Sequence, residues 1–136
     1  MVHDYITDFT IEEIKQILEK IKTCITNGKF IISQNENRKE NVDFIVDYKL
    51  TEIQQKNILL RIKVEDFCHG LQNDKPGLEH EILYVFCPQE RLTYGHITSY
   101  IDIYVKFSLV NEERVVVISF HQRNFPIDYL FNYDAS

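Results

Sequence analysis

The chain has 136 residues, 44% of them hydrophobic and 26% charged, a length and balance that suit one globular domain with a substantial core. No apolar run approaches the roughly 18 residues of a membrane span, and the amino terminus lacks a basic segment followed by an apolar one, so neither a membrane helix nor a secretion signal is expected. A formal net charge of −6 and a pI of about 5.3 argue against a protein that coats nucleic acid with a general basic surface, yet leave room for an enzyme with a small cationic site.

Thr10 to Thr26 reads as the clearest helix. Thr10 and Glu13 form a capping box, and Ile11, Ile14, Ile17, Leu18, Ile21 and Ile25 make a stripe at helical spacing. Asn27-Gly28 stops it, and Lys29 to Ser33 is a short strand. A polar run then leads into a helix expected from Glu36 to Tyr48, with Phe44, Ile45 and Tyr48 on its apolar side. Thr51 caps a third helix, Glu52 to Arg61, with Ile53, Ile58, Leu59 and Ile62 turned inward. Val64 to Gly70 leaves that helix, and Leu71 to His80, with its Asn, Asp, Pro and Gly, is a surface loop.

Glu81 to Cys87 reads as a strand ended by Pro88, and Gln89 to Ser99 as a polar connection. In Ile101 to Leu109, Ile101, Ile103, Val105, Phe107 and Leu109 alternate with Asp102, Tyr104, Lys106 and Ser108, the pattern of a half-buried strand. Asn111-Glu112-Glu113 is a loop of hairpin length. Val115 to Phe120 is more continuously apolar, as for a central strand covered on both faces. Beyond His121 the chain runs extended around Pro126, with aromatics suited to a strap. The sum is a single α+β domain over residues 1–136, with 124–136 a C-terminal extension. Helices pack on one face of a small, mainly antiparallel sheet, and the other face is left for a site.

The three cysteines, Cys24, Cys68 and Cys87, are odd in number and widely spaced, which suggests reduced thiols in a cytoplasmic protein. His69, His80, Cys87, His96 and His121 show no metal-ligand spacing, and no metal or cofactor is expected. Cys68 has no accompanying triad pattern and reads as a buried thiol.

Tyr104, Lys106 and His121 carry the strongest chemical signal. If the Ser119/His121 side of the last strand meets the Tyr104/Lys106 side of its neighbour, a phenol, an ammonium and an imidazole converge. RNA can be cut without a metal by activating its own 2′-hydroxyl, which requires a base, an acid and a cation for the phosphate. Histidine serves as acid or base near neutrality. Lysine stabilises phosphate charge, and tyrosine donates a hydrogen bond or stacks on a base. The same residues also suit a polar sheet face that simply meets water. His69, in Asp66-Phe67-Cys68-His69-Gly70, is expected in a turn after a helix, where it serves either a ligand or the helix end.

The order FII, a polar helix, ILLRIKVEDFCHG, EILYVF, DIYVKFSL and VVVISFHQR resembles the MqsR family of bacterial toxins, from about Ile17 to Arg123. The markers are Asp66-Phe67, Tyr104-Val105-Lys106 and Ser119-Phe120-His121. The resemblance implies a RelE-like α+β fold and an mRNA endoribonuclease of a toxin–antitoxin pair, acting at the ribosome or free of it and neutralised by an antitoxin protein. It implies catalytic roles for His69, Tyr104 and His121, to which the residue chemistry adds Lys106 and Arg123 as phosphate contacts. The family pattern has lysine where His69 and His121 stand and glutamine where Leu83 stands, and its members are usually basic. A non-catalytic binding protein on the same fold is therefore the competing reading, and a homo-oligomer is compatible with either.

Overall fold

Two capping boxes fix where the core helices begin. In each, a threonine hydroxyl accepts from the backbone N–H three residues on, and the side chain there accepts from the threonine N–H in return. The computed structural model describes residues 5–131. In it Thr10 and Glu13 open α1 (Ile11–Thr26), and Thr51 and Gln54 open α3 (Glu52–Leu60). The α1 stripe is buried at Ile14, Leu18, Ile21 and Ile25. Between these helices, a 3-10 turn at Glu36–Arg38 leads into α2 (Lys39–Asp47), with Phe44 in the core.

One inward assignment on α3 is corrected. Ile53 is 71% exposed, while Gln55 is buried and donates to the Leu50 carbonyl. Gln55 lies three and four residues before the buried Ile58 and Leu59, so it shares their face, and Ile53 does not.

Among the described residues six strands form one mixed sheet: β1 (Phe30–Ile32), β2 (Phe67–Gln72), β3 (Ile82–Phe86), β4 (Gln89–Tyr94), β5 (Ile97–Val110) and β6 (Arg114–Gln122). The order is β1-β6-β5-β3-β2, with β4 paired to the outer half of β5. The β1–β6 pairing is parallel and the others are antiparallel. The turn between β5 and β6 holds Asn111 and Glu112 at φ 52° and 59°.

Two segments expected as loops are strands. Residues 67–70, read as a turn, belong to β2, and residues 89–94 with 97–99, read as a polar connection, form the hairpin of β4 with the start of β5. The hairpin is polar because most of it is exposed, so it lacks the apolar alternation that marks a half-buried strand.

The helices cover one face of the sheet, over Phe67, Phe86, Val105, Phe107, Val117 and Phe120. The opposite face, expected to be free, is partly roofed. Ile127 and Tyr129 pack on Cys68, Val85, Cys87 and Tyr104. The Tyr129 hydroxyl donates to the Cys87 carbonyl at 2.8 Å, and Leu130 N–H donates to the Phe67 carbonyl. The C-terminal aromatics thus form the expected strap through Phe131, which is buried against Phe67. Residues 132–136 of the extension, including Tyr133, lie outside the described residues.

The amino-terminal arm clasps the free edge of β2. Ile6 and Gly70 exchange both backbone hydrogen bonds. Phe9 packs where a Gly70 Cβ would stand, 3.2 Å away, which is why glycine fits this strand position.

Candidate active site

Directly paired residues on neighbouring strands point to the same side of a sheet, so the ladders define the site. Tyr104 on β5 pairs with His121 on β6. Their rings lie 5.5 Å apart, inclined by 27°. One row further, Lys106 pairs with Ser119 on one side and Val85 on the other, and Val85 pairs with His69 on β2. His69, Lys106, Tyr104, Ser119 and His121 therefore share the face opposite the helices.

His121 is oriented from two directions. Its Nδ1 lies 2.9 Å from the Gln122 carbonyl oxygen. A carbonyl can only accept, so this bond places a proton on Nδ1 and leaves Nε2 to exchange one. Glu40 approaches the same nitrogen at 3.7 Å, and Asn124 donates to Glu40 in turn. The position of His121 depends on Asn41, which is 1% exposed. Past Ile118, β6 has no strand partner on the β1 side among the described residues, and Asn41 replaces one. It accepts from Phe120 N–H at 2.8 Å and donates to the carbonyls of Ile118 and Ser33.

Tyr104 is buried beneath the strap, with Phe125 edge-on at 5.2 Å. Burial pushes its hydroxyl up to about 12, so it remains a neutral hydrogen-bond donor. Lys106 lies half-buried beside it. Burial and then the nearby Arg38 guanidinium lower its ammonium below the ordinary lysine value, while Asp74 partly opposes this. Arg38 thus joins the cationic end of the site. Its place in a polar 3-10 turn, 68 positions before Lys106 in the chain, gave no local signal.

Two of the expected roles do not survive the geometry. His69 and His121 are separated by three inter-strand steps, about 14 Å of backbone, too far for direct hydrogen bonding, so the two histidines form no acid–base pair. His69 lies on a strand beneath Tyr5, the rings stacked at 3.7 Å and 9°. Its Nε2 is buried with no partner among the described residues. Arg123, expected on phosphate, is held by Asp102 at 3.1 Å and donates to the Phe125 carbonyl at 2.8 Å. It anchors the strap.

No family model, curated protein or solved structure matches the chain. All three cysteines are free and buried. Burial pushes the Cys68 thiol far above its ordinary range and Cys87 up to about 11, which keeps both protonated and unreactive at neutral pH. Among the described residues no cluster of three His, Cys, Asp or Glu side chains is placed to hold a metal ion. Next to His121 opens a cleft of about 520 Å³, lined by Glu40, Asp43, Asp47, Tyr48 and Tyr94. Its carboxylates repel phosphate, so an anionic ligand is directed to the Lys106 side of His121.

His69 carries a measurable consequence. Burial, and then Lys106, lowers its imidazole from 6.5 to about 4. The unfolded chain takes up this proton as pH falls through 6.5, and the folded chain does so only near 4. Stability therefore declines across that window, by roughly 3 kcal/mol from this group. In urea unfolding at pH 7 and pH 4, His69→Phe is expected to gain about that much relative to the parent on acidification. An equal difference at both pH values would show that His69 is protonated in the folded chain.

Proposed function

We propose that this protein is a metal-independent endoribonuclease of the toxin type, built on a RelE-like fold, which cuts single-stranded mRNA at the Tyr104–Lys106–His121 face. The observation that carries this reading is the stacked Tyr104–His121 pair with Lys106 in the next row of the same face. The resemblance of Asp66-Phe67, Tyr104-Val105-Lys106 and Ser119-Phe120-His121 to MqsR toxins supports it.

In the proposed reaction, Nε2 of His121 takes the proton of the RNA 2′-hydroxyl. The 2′-oxygen attacks the adjacent phosphorus, and the bond from phosphorus to the 5′-oxygen breaks. The Lys106 ammonium, flanked by Arg38, neutralises charge on the phosphate and gives a proton to the departing 5′-oxygen. Tyr104, buried beneath the strap, orients the His121 ring by stacking on it. The products are a 2′,3′-cyclic phosphate and a 5′-hydroxyl. An antitoxin would silence the enzyme by covering this face, and ribosome association would supply mRNA as a single strand.

The alternative, a non-catalytic binding protein, draws on the acidic cleft beside His121 and the overall negative charge. Inducible expression in a bacterial host separates the two. The ribonuclease reading predicts growth arrest and early mRNA loss with the wild type and relief by His121→Ala. Unimpaired growth with intact RNA, from soluble folded wild-type protein, would favour the binding protein.

A further inference from the structure

The face that carries Tyr104 does not end there. β5 continues past Ile103, and by alternation Asp102, Tyr100 and Thr98 extend the same face towards the hairpin tip. β6 ends at Gln122, opposite Ile103, so beyond Asp102 the strand is paired, among the described residues, with β4 alone. Arg91 pairs directly with Tyr100, so the two side chains leave neighbouring positions on the same face.

Tyr100 is 68% exposed, and Arg91 is exposed beside it. The hairpin that carries them is nonetheless held to the body. On its other face Leu92 packs on the main core and Tyr94 meets Tyr48 edge-on at 5.7 Å. Arg61 on the helix side grips Glu90 through two hydrogen bonds. A fixed hairpin thus presents an uncovered aromatic ring to solvent.

Charge favours an anionic partner on this stretch despite the net charge of −6. Its carboxylate, Asp102, is bound by Arg123 and Gln89. Arg91 is left as the outward charge of this stretch, on the face that carries Lys106 further along β5. Four strand rises separate Tyr100 from Tyr104, about 13 Å, a reach of two or three nucleotides along an unpaired strand. Aromatic rings stack on the bases of single strands regardless of sequence, and duplexes do not offer their bases in this way.

We propose that Tyr100 and Arg91 form a nucleobase subsite for single-stranded RNA, a few nucleotides from the scissile phosphate. Tyr100 stacks on a base and Arg91 meets the adjoining phosphate. The subsite rests on the ribonuclease reading and adds to it how the substrate strand is gripped and aligned.

Fluorescence anisotropy with a labelled 12-nucleotide single strand, fully 2′-O-methylated so that it has no attacking hydroxyl, tests the subsite with the full chain. Tyr100→Ala is expected to weaken binding by roughly tenfold and Arg91→Ala by several-fold, with Tyr100→Phe binding like the wild type. A dinucleotide, too short to span from the scissile phosphate to the hairpin, should lose far less affinity on Tyr100→Ala than the 12-nucleotide strand. Unchanged affinity of the 12-nucleotide strand for Tyr100→Ala, with cleavage of unmodified RNA intact, overturns the subsite and leaves the ribonuclease standing. So does equal competition by a duplex of the same sequence. Failure of the wild type both to bind the strand and to cut unmodified RNA overturns the two together.

Discussion

Replacing His121 with alanine is expected to slow RNA cleavage by roughly 10²–10⁴-fold, the range for losing a positioned acid–base group. The variant should fold, because His121 sits at the margin of the core and its ring gives up only the stack on Tyr104 and polar contacts near the surface. Single-turnover cleavage of a labelled strand, with circular dichroism on the same sample, measures both. A loss below about threefold would remove His121 from the chemistry. The same assay reads Lys106 through pH. Its ammonium must be protonated to act, and activity falls as pH rises through its value, which burial and Arg38 hold below the ordinary lysine range. Arg38→Ala removes part of that depression, so the alkaline limb of the rate profile should move to higher pH.

Asn41→Leu is expected to be the most damaging substitution to stability outside the apolar core. It leaves the Phe120 N–H and the carbonyls of Ile118 and Ser33 without the partner they now share. An orphaned buried backbone group costs about 1–3 kcal/mol, so a total near 3 kcal/mol and a Tm lowered by roughly 10 °C are expected. Lys39→Ala, two residues away in an exposed ion pair with Asp43, should leave the Tm almost unchanged. Equal losses for the two would mean that Asn41 does not stand in for a strand at the edge of β6. Because β6 carries His121 just beyond this contact, surviving Asn41→Leu protein should also cut RNA poorly.

Local signals explain what could be read from the chain. The two capping boxes involve residues three apart, and the alternation of β5 repeats every second residue, so both are visible without knowledge of the fold. The convergence of Tyr104 with His121 followed from that alternation plus a short hairpin, and the ladder has them directly paired. What escaped depends on distant partners. Phe67-Cys68-His69-Gly70 reads as a helix stop until β3 and the arm at Ile6 pair on either side of it. A register shift between Phe67 and His69, one extra residue in the ladder, masks its periodicity.

Tyr104, Lys106 and Ser108 are polar residue types, so in the sequence this face of β5 looks open. Tyr104 and Ser108 are buried, Tyr104 by a strap that joins the sheet about twenty residues later. Asn41 gave no signal at all: an asparagine in a polar helix looks like solvent-facing surface, and only its contacts with Ser33 and with residues nearly eighty positions away reveal its work. His69 shared the chemical promise of His121, yet strand order alone separates them.

The most direct measurement is to incubate the purified protein with an end-labelled single-stranded RNA in the presence of a metal chelator and to identify the product ends. A 2′,3′-cyclic phosphate and a 5′-hydroxyl from the wild type, with intact RNA from His121→Ala, is the predicted result. Intact RNA from folded wild-type protein, or cleavage that His121→Ala leaves unchanged, would contradict a ribonuclease centred on the Tyr104–His121 pair.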